Sequence, residues 1–385
     1  MKSTPRSARA VMYALLVLAA VASAPALAQV CGNGLVEPPE ECDVGAAFRL
    51  DGCAPDCTYE HVQRMTSLAL GGGPGPSSCT PPTNAFGSAF SSLGLTALNT
   101  QLATVISDQT LNQLLQILAL DDPAAIDDPD LEVGFLGSAL DARGPAPGLD
   151  AWYLAAPGFL DPDDLPAVSL PGAVAARELS AGPGRVEIRF LEGLITARDA
   201  RITAVVGSLT SLPGPPPDQL APGFAAFESL AADDGNHGMC GNLTVASLAQ
   251  IPLPAEFTAG GGAECSGSCP GSRSYTWCGA GNPVGPGCNS LLDLMVGGCS
   301  VFPPACVGIV TPTQPDVGTD GQPPAVLIGD PTTGKVTVAE PDDAYSTWFE
   351  FTAERVHMTN HLGGIFLDGF ESSDLAAWSS SAPLQ

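Results

Sequence analysis

The placement of twelve cysteines sets the tightest limit on what this chain can fold into. Cys31, Cys42, Cys53 and Cys57 crowd the first stretch, and Cys265, Cys269, Cys278, Cys288, Cys299 and Cys306 share 42 residues much further on. Cys79 and Cys240 stand apart, with a cysteine-free span between them. The stretch from Cys31 to Glu60 is only 30 residues long, and its large apolar side chains are few (Leu35, Val36, Val44, Phe48 and Leu50), so it is too small to hold a core alone and has to be stapled covalently. An even number of cysteines fits a fully paired set formed in an oxidising compartment. Spacing leaves the pairing open: Cys79 and Cys240 can join each other or join the second cluster.

The N-terminus supplies the export route that such pairing needs. Lys2, Arg6 and Arg9 form a basic start, an apolar run extends from Ala10 to Ala22, and Ala26-Leu27-Ala28 has the small-x-small pattern of a processing site. Residues 1–28 are therefore read as a signal peptide cut before Gln29. The apolar run is shorter than the roughly 20 residues a spanning helix needs. Val30 stands before Cys31 where a lipid-anchoring motif requires a small residue, so the expected product is soluble, secreted or at the cell surface. No later stretch is long and apolar enough to be a transmembrane helix.

Charge excludes further classes. The chain has 14 basic and 41 acidic residues, for a net charge of −27. Removing residues 1–28 takes away three basic residues and no acid, which leaves −30. Such a surface repels phosphate, so neither nucleic acid nor an anionic membrane is an expected partner. The expected partner is an unidentified extracellular ligand or surface component. The 44 Gly and 37 Pro of 385 residues stay below the fraction that marks low-complexity disorder.

Beyond a Gly/Pro-rich stretch from Gly71 to Pro82, the pattern is first helical. Leu95, Leu98, Leu102, Val105 and Ile106 recur at spacings of three and four, and Asp108 is placed to cap a second helix carrying Leu111, Leu114, Leu115 and Leu118. After residue 130 the period becomes two. Leu131, Val133 and Phe135 alternate with other residues, as do Val186, Ile188 and Phe190. Ile202, Ala204 and Val206 follow a turn expected near Arg198 and Asp199. Val336 and Val338, then Phe349, Phe351 and Ala353, read as two further strands. Short strands with frequent Gly and Pro breaks predict a mainly β fold: an antiparallel sandwich of jelly-roll type, preceded by a short helical pair.

The first cysteine stretch also concentrates oxygen ligands. Asn33, Glu37, Asp43, Asp51 and Asp56 are the candidates for a Ca²⁺ site, with Glu40 and Glu41 beside them and Gly34, Gly45 and Gly52 permitting tight turns. Cys31-Gly32-Asn33-Gly34, Glu37, Glu40, Cys42-Asp43, Gly45 and Asp51-Gly52-Cys53, followed by Cys57, match a known pattern in register. The stretch resembles the Myxococcus cysteine-rich repeat family of secreted and cell-surface proteins, over about 30 of the 385 residues. The resemblance implies a disulfide-stapled module with no catalytic role. Val44 and Ala46 replace oxygen-bearing side chains of the family pattern, and Leu50 and Ala54 also depart from it. A structural staple and an occupied Ca²⁺ site both remain open.

The resulting division is a signal peptide (1–28), the cysteine-rich repeat (29–60), a linker (61–85), a β-rich domain (86–363) with a cysteine-rich loop region (240–306), and a C-terminal segment (364–385). That last segment, with Asp368-Gly369-Phe370-Glu371-Ser372 and Trp378, resembles the D-G-F-E-S-type segment of exported bacterial proteins.

Several segments approach known chemical motifs. Gly329 to Lys335 approaches a phosphate-binding loop, but Val336 replaces the hydroxyl residue that would hold Mg²⁺, and a hairpin turn is the better reading. His357 and His361 have the i, i+4 spacing of a zinc-protease helix, but Met358 stands where the general base belongs. No serine lies in a G-x-S-x-G context. Asp316 to Gly321 faintly echoes a calcium loop. Asp121, Asp122, Asp127, Asp128, Asp130, Asp161, Asp163 and Asp164 are read as turn residues that are alternatively able to bind Ca²⁺. Trp277 and Tyr275 beside Cys278 are read as packing on a disulfide, or as an aromatic ligand patch. Together these features predict an exported non-catalytic structural or binding protein with no catalytic residues and no certain cofactor. The alternatives are a secreted hydrolase, for example acting on glycans through an unrecognised carboxylate site, and a calcium-dependent adhesin or lectin.

Overall fold

A computed structural model describes residues 33, 35, 40, 43, 53, 57, 60–122, 126–141, 152–190, 193–207, 229–252, 289–297 and 310–361. Within them eleven strands form a sheet that closes on itself. They are β1 (His61–Leu70), β2 (Gln113–Leu118), β3 (Asp127–Leu140), β4 (Trp152–Ala155), β5 (Ser169–Ala175), β6 (Glu178–Phe190), β7 (Gly193–Gly207), β8 (Ser229–Ala232), β9 (Gly238–Thr244), β10 (Ala344–Arg355) and β11 (His357–His361).

β1, β2, β3, β5, β6 and β7 follow one another as antiparallel neighbours. β8 and β9 then share one position between β7 and β10, with Ala232 facing Phe351 and Met239 facing Phe349. β10 returns to β1 through Gln63–Arg355 to Leu70–Phe349. The result is an eight-strand antiparallel barrel in up-and-down order. The expected sandwich or jelly roll is therefore wrong. Each stave pairs with its sequence neighbour, and the β10–β1 and β3–β5 pairings remove the edges that a sandwich would leave.

Alternation sorts side chains to two faces. One face of every stave feeds a single apolar cluster that includes Met65, Leu115, Phe135, Leu170, Leu179, Ile202, Leu230, Leu243 and Phe351. Ala181, Ala197, Ala200, Ala204, Ala232 and Ala353 fill between these larger groups, as the narrow lumen of an eight-strand barrel requires. On the opposite face of β1, β2 and β3, Val62, Leu114 and Leu136 pack against Tyr153 and Ala155 of β4, with Val356 and Met358. β11 pairs parallel to β4, so this two-strand ribbon forms an outer layer over those staves.

Two expectations near the start change. His61–Leu70, expected within a linker, is the first stave. The second expected helix, from Asp108 through Leu118, is β2 instead. The first helix is present. Helix α1 (Ala85–Ser88) precedes α2 (Ser92–Ser107), which Ser91 caps by accepting from the Gly94 N–H. Leu98, Leu102 and Ile106 bury one stripe of α2 against the core. Asn99 of α2 bonds both the N–H and the C=O of Leu70, so α2 continues the wall where β2 does not reach.

Short helices α3 (Val245–Leu248) and α4 (Leu291–Gly297) add Val245, Leu248, Leu292 and Leu294 to the same core, at the end where β9 finishes and β10 begins. The turn expected at Arg198–Asp199 is a bulge inside β7. The chain reverses earlier, where Phe190 pairs with Gly193. Val336 makes one bridge, to Gly329, rather than a strand. No described helix is long and apolar enough to cross a membrane.

Candidate functional site

The outer face of β9 and β10 carries a disulfide, a packed tryptophan and a serine–acid contact. Cys79 is disulfide-bonded to Cys240 of β9, with Cα atoms 5.7 Å apart and 161 residues between them in sequence. This bond closes the segment after β1 onto the barrel wall. Trp348 of β10 packs on the disulfide and donates its indole N–H to the Gly73 carbonyl at 2.8 Å. Gly71 lies so close that an added Cβ would sit 2.1 Å from the Trp348 ring. An aromatic packed on a disulfide was expected at Trp277. Among the described residues Trp348 fills that role, and Trp277, Tyr275 and Cys278 lie outside them. Cys53 and Cys57 are disulfide-bonded, and Cys31, Cys42, Cys265, Cys269, Cys278, Cys288, Cys299 and Cys306 lie outside the described residues.

Beside the disulfide, Ser346 donates to Asp316 Oδ2 at 2.6 Å and accepts from the Ala85 N–H at 3.0 Å. Thr83 bonds the same carboxylate at 2.7 Å. This serine–acid contact contains no histidine, and Ser346 is buried with its oxygen held between a carboxylate and an amide. It works as a joint, not as a nucleophile. Burial, then Asp316, pushes the Tyr345 phenol well above its usual range.

Of the candidate calcium ligands, Asn33 and Asp43 are described, while Glu37, Asp51 and Asp56 lie outside the described residues. Asn33 Oδ1 accepts from the Leu35 N–H at 2.7 Å, and Asp43 Oδ2 accepts from the Asn33 N–H at 3.0 Å. Both side chains hold the backbone turn. Oxygens of Glu40 and Asp43 converge with the Cys57 sulfur, all three buried, but that sulfur belongs to a disulfide and is not a thiolate.

The acidic turns follow the same rule. Asp128 accepts from the Asp121 and Asp122 N–H groups, Asp122 from Ile126 and Asp127, Asp127 from Ala176, and Asp161 from Asp163 and Leu165. Asp330 caps the tight turn that brings Gly329 to Val336, which makes the phosphate-loop lookalike a hairpin turn. Hydrogen bonds from Asn236 N–H, then from the His237 ring and N–H, hold Asp234 down at about 2.

His357 and His361 lie on β11 rather than on a helix, so their backbones are about 13 Å apart and they cannot chelate as an i, i+4 pair. Burial and then the nearby Arg355 lower His357 to about 4, and the same two causes lower His61 to about 4. Among the described residues Arg64 is the arginine placed deepest. Its Nε donates to Asn112 Oδ1 at 3.1 Å, its Nη2 donates to the Ile106 carbonyl, and it stacks 5.8 Å from the centre of the Tyr153 ring. Tyr153 in turn donates to Gln109 Oε1 at 2.7 Å. This cluster ties α2, β1 and the outer ribbon together.

One group was missed from the sequence. The β7 bulge places Arg198 opposite Asn242 and Arg201 opposite Cys240. The available signal was the period itself: Ile202, Ala204 and Val206 face inward, so Arg201 and Thr203 must face out.

A scan against protein-family models, a search of curated proteins and a search of solved structures each found no match. Likeness to known proteins therefore sets neither a family nor an activity, and the functional reading rests on the residues themselves.

Proposed function

We propose that this protein is an exported, non-catalytic module that acts outside the cell or at its surface as a structural or binding element. It is a closed β-barrel carried behind a small cysteine-stapled repeat of the Myxococcus type. The observation that carries the reading is the Cys79–Cys240 disulfide, which ties residues 161 positions apart onto one barrel wall. Such a bond persists where thiols are oxidised, in agreement with the leader pattern of residues 1–28. The non-catalytic part is supported by how the acids are used. Asp122, Asp127, Asp128 and Asp161 of the turns accept backbone N–H groups, and the described serine–acid contact is a buried joint.

Expression of the full chain in an export-competent host tests this reading. The released product should begin at Gln29, and none of its 12 cysteines should react with an alkylating agent before reduction. An uncut N-terminus, or rapid alkylation of Cys79 and Cys240, would overturn it.

A further inference from the structure

Among the described residues, Arg198 and Arg201 have no ion-pair partner although the chain is strongly acidic. Arg198 and Arg201 are half-buried on the outer face of β7, and the Nε of each is buried with no hydrogen-bond acceptor. Ion pairs among the described residues include Arg185–Glu187, His237–Asp234 and Lys335–Asp293, and neither arginine takes part in these. The nearest acid in sequence, Asp199, is already engaged: its Oδ2 accepts from the Asn242 amide at 3.1 Å. Leaving a charged donor buried and unmet is costly, so such a donor calls for an acceptor that the fold itself does not supply.

The backbone explains how the pair is aimed. Asn242 and Cys240 are two residues apart on β9 and face the same side, so their partners Arg198 and Arg201 also share a side, about 7 Å apart. The bulge achieves this by inserting an extra residue, with Asp199 in the left-handed region at φ +51°. Ala200 turns inward to the core, which leaves both arginines outward. On the adjoining stave the chain is irregular at the same level, where Gly184 pairs with Ala200 and Val186 with Ala197. Arg185 therefore runs alongside, its charge shared with Glu187 at 3.2 Å. The seam carries three arginines against two acids, a local excess of positive charge.

We propose that Arg198 and Arg201 form a binding site for the carboxylate group of a small extracellular ligand. Two arginines on the same side of the strand, each with an unmet Nε donor, suit a planar acceptor with two oxygens. The net charge of −27 selects against polyanions and dianions, because the long-range field repels them while one carboxylate feels mainly the local pair. The site does not depend on export, and it stands or falls separately from the reading above.

The test uses the full chain, with ¹H–¹⁵N spectra of the arginine Nε–Hε groups. Sodium acetate is titrated at constant ionic strength against sodium chloride, with sulfate and phosphate as parallel arms. The Arg198 and Arg201 signals should move together along one saturating curve, with the exposed Arg177 as the unmoved control. Arg201→Gln should weaken the response of Arg198 at least tenfold, and Arg201→Lys should restore only part of it. No movement beyond the chloride control would overturn the site. Tighter binding of sulfate or phosphate than acetate would overturn the assignment to carboxylates, and an unchanged Arg198 curve in the Arg201→Gln variant would overturn the pairing.

Discussion

Lowering the pH from 7 to 5 should weaken the fold through two histidines. His61 opens β1, His357 opens β11, and both are held at about 4 by burial first and Arg355 second. In the unfolded chain each returns to about 6.5, so between 6.5 and 4 the unfolded state binds more protons than the folded state. Stability therefore rises with pH across that window and falls as acid is added. One such histidine loses about 2 kcal/mol between pH 7 and pH 5. For His61, which is 6% exposed, that figure applies directly; for His357, which keeps some contact with solvent, it is an upper value.

Urea unfolding at pH 7, 6 and 5 reads the effect as a falling midpoint. The His61→Gln variant should show about half the wild-type pH slope whatever its stability at pH 7. Asp234 is held near 2 and, like Asp108 and Asp330, has a lowered pKa, so these groups lose their contribution only in stronger acid. Glu350 and Glu354 are raised by burial, so their protonation favours the folded state as acid is added and offsets part of the histidine loss, which is why the single-histidine variants carry the test. A slope unchanged in both His61→Gln and His357→Gln would refute the reasoning.

Replacing Cys79 and Cys240 together by alanine opens a loop of 161 residues, which chain-entropy arguments value at about 5 kcal/mol. Thermal melting of the double variant should fall sharply, and a melt unchanged within error would show that the cover over β9 and β10 holds without the bond. Gly71→Ala drives a methyl into the Trp348 ring and should cost roughly 1–3 kcal/mol, visible as a lower denaturation midpoint with altered tryptophan fluorescence. Because Asn33, Asp43 and the aspartate turns already serve backbone N–H groups, chelation with EDTA should leave the melting temperature unchanged. A rise of several degrees on adding calcium chloride would restore the calcium reading.

How much of this was legible in the sequence depends on how many faces each element buries. The α2 helix was readable because it buries one stripe, Leu98, Leu102 and Ile106, and leaves the rest in solvent. β3, β6, β7 and β10 were readable where one face is apolar and the other is wet. β2 was not readable, because Leu115 points into the barrel while Leu114 points to the outer ribbon. A strand buried on both faces loses its alternation, and its leucines fit a helix equally well. The barrel's closure was invisible for a different reason. It depends on β10 meeting β1 across most of the chain, and a local period cannot report whether a sheet has an edge. The arginine pair was hidden by chemistry: Arg198-Asp199 looks like a turn, and only the register with Asn242 and Cys240 shows a bulge.

The staves of a closed barrel offer a partner no edge strand, so recognition on the barrel wall falls to its outer faces. Two of those faces are occupied by the chain itself. The β4–β11 ribbon covers β1, β2 and β3 through Val62, Leu114 and Leu136. The segment after β1, fastened by Cys79 and Trp348, covers β9 and β10. The contact of Ser78 with Thr203, at 3.4 Å, marks the border of that cover. Just past this border begins the uncovered wall of β6 and β7, where Val205 is 39% exposed and Arg185 reaches solvent. Arg198 and Arg201 are half-buried next to it, with Arg201 opposite Cys240 of the disulfide. A site needs both conditions, enough burial to strengthen a charged hydrogen bond and enough opening to admit a ligand. The disulfide and the arginine pair therefore belong to one arrangement. Cys240 is at once the anchor of the cover and the register partner of Arg201.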